Sequence, residues 1–242
     1  MKWCDEGIVL SSRKHGETAA IVTLLTRSHG RHLGLVRGGS GRRARGLYQP
    51  GNCVYVTWHG RLPEHLGTFS CELESTVTSE VLHEPMRLAA LCSACAILDA
   101  SLPERENYVA IFEGIRLLIK ALAHEEDLVW MTVYVKWEVG LLQELGFGLD
   151  LKACAATGVT KDLAFVSPKT GRAVSINAAK PYESKMLPLP AFLLPGGGMP
   201  ARFDIVQGLR TTGYMLNKNV FYPSALGRTP DARARFMDRL KA

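Results

Sequence analysis

From Gly7 to about Glu74 the sequence alternates with period two, and after Thr78, Ser79 and Glu80 that period gives way to helical spacing. Period two puts successive side chains on opposite faces of a strand, whereas apolar residues three and four apart share one helix face. One chain carrying both patterns in succession is expected to be α+β, with a strand-built part over residues 1–78 and a helical part over 79–242. Turn residues cut the first part into short pieces. Gly7 to Ser12 is the first candidate strand, residues 14–17 turn the chain, and Ala19 to Thr26 is the second. Residues 28–30 turn it again into Arg31 to Arg37. Further on, Cys53 to Trp58 sets Cys53, Tyr55 and Thr57 against Val54, Val56 and Trp58. Thr68 to Glu74 sets Phe69, Cys71 and Leu73 against Thr68, Ser70, Glu72 and Glu74. Five short strands are too few for most sandwiches and fit a small closed or partly open barrel of the OB type. An SH3-like barrel satisfies the same pattern.

In the second part, Pro85 stands where a first helical position would be, ahead of an Ala- and Leu-rich helix from Met86 to Leu102. A second helix is expected to begin at Pro103 and to bury Ile111, Phe112, Ile115, Leu118 and Leu122. A third, from about Glu126 to Leu145, is apolar nearly all round, which suits the centre of a bundle. Residues 148–199 are rich in Pro and Gly and read as an irregular insert, a hairpin of Leu163–Val166 with Ala173–Ile176 followed by a connecting loop. Helices resume over Phe203 to Asn217 and again after Thr229 and Pro230.

The charge is concentrated in the strand-built part. Between Glu17 and Glu64 there is no Asp or Glu, while seven arginines (27, 31, 37, 42, 43, 45 and 61) fall in that window. Arg37, Arg42, Arg43 and Arg45 are interleaved with Gly38, Gly39, Gly41 and Gly46, a pattern expected to form a flexible basic loop. A guanidinium stays charged and presents paired donors that match a phosphate. The functional reading is a polyanion site, nucleic acid above all, with Tyr48, Tyr55 and Trp58 as the nearest aromatics. The competing reading is a solvated basic loop. A net charge of +6 on 242 residues is compatible with both.

The sequence offers little to an enzyme. Cys92 and Cys95 have redox or zinc spacing but lie within an Ala/Leu helix, with no second Cys or His pair near them. Gly41 and Gly46 are separated as in a P-loop, yet Leu47 and Tyr48 stand where Lys and Ser or Thr are required. The seven His are scattered, and no carboxylate cluster would hold paired metal ions. The six Cys sit in apolar segments, as reduced thiols of a cytoplasmic protein do. Neither a secretory leader nor a membrane span is expected.

Several runs, in order along the chain, resemble the RecO family of DNA repair and recombination mediators. They are Gly7, Ile8, Val9 and Leu10 with Glu17 and Thr18; Val36, Arg37 and Gly38 with Gly41, Arg42 and Arg43; Leu47, Tyr48, Gln49 and Pro50; and Trp137 and Glu138 with Leu141, Leu142, Leu145, Gly146, Phe147, Gly148, Asp150 and Leu151. The resemblance implies an N-terminal OB domain and a helical C-terminal domain. It implies binding of single- and double-stranded DNA, annealing of complementary strands, and help in loading RecA together with RecR. It also implies contact with the C-terminal tail of single-strand binding protein. The DNA candidates it assigns are Arg37, Arg42, Arg43 and Arg45, with Arg31 and Lys14 at neighbouring turns. Lys136, beside Trp137, is the candidate for the protein tail. Many relatives carry four zinc cysteines in the insert. Here Cys154 matches the first, while Thr157 and Ser175 stand where further ones would be, so no zinc is expected. A cytoplasmic, nucleoid-associated protein follows. The alternatives are a generic RNA- or single-strand-binding OB protein and a structural adaptor without annealing activity.

Overall fold

A computed structural model describes residues 1–224 and 227–241. The chain forms two compact units, Met1–Ala123 with Pro230–Phe236, and His124–Thr229 with Met237–Ala242.

The first unit is built on β1 (Lys2–His15), β2 (Ala19–Thr26), β3 (Gly30–Val36), β4 (Cys53–His59) and β5 (Thr68–Ser75). They close in the order β1-β2-β3-β5-β4, with β4 returning to β1. Pairing of β3 with β5, and a helix between β3 and β4, make this an OB barrel; an SH3-like barrel would pair its strands as a meander. Alternation decides the register. Val9, Val22, Leu24, Val54, Val56, Trp58 and Phe69 fill the interior. Trp58 donates from Nε1 to the Leu66 carbonyl (3.1 Å) and lies over Trp3, ring centroids 5.7 Å apart. His32 meets Trp58 edge-on, and its burial pushes the imidazole pKa down. At Gly34 a Cβ would come within 2.4 Å of the Phe69 ring, so the barrel needs glycine there.

Helix α1 (Arg42–Leu47) follows β3, and the short α2 (Val77–Val81) leaves β5. Helix α3 (Pro85–Ser101) packs on β1, where the Cys95 thiol lies 3.7 Å from the Val9 carbonyl. Since Val22 and Leu24 face inward, Thr23 and Leu25 face outward, yet both are buried. One outer face of the barrel is thus spent on folding. Helix α4 (Val109–His124) starts later than expected. The segment after Pro103 runs beside β3 instead of winding: Glu104 bridges Arg31, and the Arg105 N–H donates to the Arg31 carbonyl (2.8 Å). That contact satisfies backbone groups that a helix would otherwise have paired. The outer face of β4 and β5 is open, with Tyr55, Ser70 and Glu72 exposed.

In the second unit α5 (Asp127–Glu144) packs against α7 (Arg202–Leu216). Trp130, Tyr134 and Val135 are fully buried, as expected of a central helix. The buried Glu138 carboxylate accepts a hydrogen bond from the Thr212 hydroxyl. The expected hairpin is present in the insert and is widened to a three-stranded sheet. β6 (Leu163–Val166) lies between β7 (Ala173–Ser175) and β8 (Leu187–Pro188). A two-residue strand with a proline is too short to show a period. The short helix α6 (Ile176–Ala179) follows β7, and α8 (Asp231–Lys241) ends the described chain. No described helix is long and apolar enough to cross a membrane.

Candidate nucleic-acid interface

The second half of the arginine-rich run, Arg42–Leu47, is a helix where a loop was expected, while Arg37 stays in the turn before it. Three residues explain why. Ala44 and Leu47 are half-buried against the barrel core and Tyr48, the C-cap, is part of it, so one side at three- and four-residue spacing faces the barrel. Burying that face against the barrel compensates the weak helix propensity of a Gly-containing run. The end of α1 is fixed by Asn52, whose Nδ2 donates to the carbonyls of Gly46 and Leu47 (3.0 Å each). Its beginning is tied to the β1–β2 turn. Ser40 donates from its N–H to Thr18 O (3.0 Å) and from its hydroxyl to Glu17 O (3.1 Å). Once the apolar side faces the barrel, Arg42, Arg43 and Arg45 are exposed.

The barrel is least closed between β3 and β5. Their pairing has one register pair, Leu35 with Thr68, and beyond it β5 pairs with β4 alone. A groove of about 910 Å³ opens there, lined by Arg37, Arg42, Arg43, Tyr48, Cys71 and Leu73 among others. Burial pushes the Cys71 thiol up to about 11 and raises the Tyr48 phenol as well, so the floor is uncharged at neutral pH.

Arg37, Arg42, Arg43 and Arg45 make no ion pair among the described residues. The acid-free window does not leave every arginine so. Arg27 pairs with Glu6 (3.7 Å) and with Glu113. Arg31 pairs with Asp99 (2.9 Å) and Glu104 (3.7 Å), and its side chain is only 17% exposed. Arg31 therefore does not join the groove cations. Lys14 belongs to their end of the barrel, opposite Ala20, which is opposite Val36. Arg45 lies on α1 outside the groove lining. Arg13 is a further exposed cation at this end, opposite Ile21 and so one residue from Lys14 along β1. Sequence reasoning missed it because β1 continues to His15, past its apolar run. In the second unit Lys136 is exposed, while Trp137 is buried and meets Tyr134 edge-on at 5.6 Å.

Two family profiles cover most of the chain. The one described as Recombination protein O N terminal matches residues 1–76, and Recombination protein O C terminal matches residues 82–203. The chain belongs to the RecO family. A relative from Rhodospirillum centenum, called DNA repair protein RecO, is 51% identical over 100% of this chain and 95% of its own length. Proteins of the same name from Rhodospirillum rubrum and a Ruegeria species are 46% and 44% identical, covering 97% and 98% of their own lengths. The expected family is thereby shown, and with it a role in DNA repair and recombination.

RecO relatives with zinc would hold it in the insert, and the residues present here do not fit that ion. Zinc takes several thiolate or imidazole ligands. Cys154 is buried, and its sulfur accepts from the Ser175 N–H (3.3 Å) and the Ser175 hydroxyl (3.4 Å). No group of three or more His, Cys, Asp or Glu suited to a metal ion occurs among the described residues.

Proposed function

We propose that this RecO-family chain is a non-enzymatic, cytoplasmic mediator that binds single- and double-stranded DNA at the arginine groove and anneals complementary strands. With RecR it helps RecA load on DNA coated by single-strand binding protein, close to the nucleoid. The observation that carries this reading is three exposed arginines, Arg37, Arg42 and Arg43, that line one opening of an OB barrel and make no ion pair among the described residues, with Arg45 exposed on α1 beside them. Such cations neutralise phosphates and release counterions, so two strands held near them repel each other less. The exposed Lys136 is the proposed contact for the terminal carboxylate of the single-strand binding protein tail, with buried Trp137 next to it along α5. The insert is held by its sheet and by the Cys154–Ser175 hydrogen bonds without zinc.

The test is annealing of two complementary oligonucleotides, followed by fluorescence quenching. The purified protein should raise the initial rate by about tenfold or more, within the range of electrostatic steering. Arg37→Ala/Arg42→Ala/Arg43→Ala should lose most of that gain. A wild-type protein that leaves the rate unchanged contradicts the annealing function.

A further inference from the structure

The open face of β4 and β5 carries one large aromatic, Tyr55, in the middle of a strand. Its neighbours Val54 and Val56 are buried in the barrel, whereas Tyr55 is 51% exposed and its ring makes no aromatic contact among the described residues. Across the sheet it stands between Glu6 on β1 and Glu72 on β5, and the next outward row is Cys4, Thr57 and Ser70. Beside it is a second groove of about 490 Å³, lined by Glu6, Arg27, Tyr55, Thr57, Ser70 and Glu72 among others. The cation there is already engaged, because Arg27 pairs with Glu6 and Glu113. Glu6 is held as well, by Arg116 at 2.8 Å. The Glu72 carboxylate makes no ion pair or hydrogen bond among the described residues, and Glu72 lines both this groove and the arginine groove.

The two grooves therefore meet at Glu72 but differ in character. The first is cationic with a neutral floor. The second is polar and acidic with an aromatic wall. A phosphate belongs in the first and is repelled from the second. A nucleobase belongs in the second, since every base offers a π-face to an exposed aromatic. We propose that a single strand whose phosphates follow Arg37, Arg42 and Arg43 crosses β5 at Glu72 and stacks one base on Tyr55. There the Glu72 carboxylate accepts a hydrogen bond from an exocyclic amine of that base. Cytosine, through its N4 amine, adenine, through N6, and guanine, through N2, supply that donor; thymine has no exocyclic amine and presents O4 instead. The site therefore favours cytosine, adenine or guanine over thymine. This inference rests on the arginine groove being the DNA site.

The experiment is fluorescence anisotropy of the full chain with labelled oligo-dC and oligo-dT of equal length, across a salt series. The wild type should prefer dC by about fivefold, the lower end of discrimination by one base contact. Tyr55→Ala should weaken dC binding about tenfold, as loss of one stacked base does, with the salt slope unchanged. Tyr55→Phe should bind like the wild type, and Glu72→Ala should abolish the preference for dC. Arg42→Ala/Arg43→Ala serves as the control for the groove itself. If that variant loses affinity while Tyr55→Ala does not, the platform is wrong and the groove stands. A Tyr55→Phe protein as weak as Tyr55→Ala also overturns stacking, and equal wild-type affinity for the two oligomers overturns the role of Glu72. If neither the arginine nor the tyrosine variants change binding, the groove reading falls with the platform.

Discussion

Alanine at Arg37, Arg42 and Arg43 together lowers affinity for a single strand about a hundredfold near 0.1 M salt and flattens the log–log salt slope by about two units. The expectation follows from what each guanidinium lacks. Arg27 and Arg31, in the same acid-free window, already have carboxylates within 4.0 Å, so a phosphate would have to compete for them. The three groove arginines make no such pair among the described residues, and their charge is available. Each single-strand phosphate neutralised releases about 0.7 of a counterion, equivalent to about fivefold in affinity at that salt. Three contacts multiply to about the stated loss. Arg31→Ala should act differently. It removes a link between β3 and α3, and its effect should be on stability, with the salt slope preserved. Titration of a labelled oligonucleotide over several salt concentrations separates the two.

Trp58→Ala should lower the unfolding free energy by about 3–5 kcal/mol, the range for emptying the space of a buried aromatic. Trp58 is 1% exposed at the centre of the barrel interior. Its loss removes the stack with Trp3 and the edge contact with His32, and leaves the Leu66 carbonyl without its indole donor. Gly60 and Gly67 approach the indole so closely that a Cβ at either would lie 2.3 Å from it, so the loop between β4 and β5 is moulded on this ring. Urea unfolding followed by circular dichroism reads the change as a lower midpoint. Tyr55→Ala, three residues earlier on the same strand, removes an exposed side chain and should shift stability by about 0.5 kcal/mol or less. Alternation along β4 thus separates a folding residue from a proposed binding one.

Most strands were legible because a half-buried barrel strand prints its register in the sequence. β2 is found at the expected bounds, and the inward and outward sets of β4 and β5 are as alternation places them. β1 is longer at both ends, since Lys2–Glu6 pairs with β4 and Arg13–His15 pairs with β2 in stretches of little alternation. Helix α1 was illegible for a different reason. Its only apolar residues are Ala44 and Leu47, and what makes it a helix is the barrel beneath them. The charge pattern was half legible. A linear window shows that no carboxylate is near in sequence, but Asp99 on α3, Glu104 in the segment after it and Glu113 on α4 reach Arg31 and Arg27 through the fold. The site was therefore recognisable as cationic, while which arginines remain available depends on contacts more than 60 residues away in sequence.

The measurement that tests the account most directly is amide hydrogen exchange of the full chain with and without a bound single strand. The groove account predicts slower exchange on binding in residues 37–48 and 71–73, with the largely buried segment 90–98 of α3 unchanged. Protection confined to other segments, with none in residues 37–48, would contradict it.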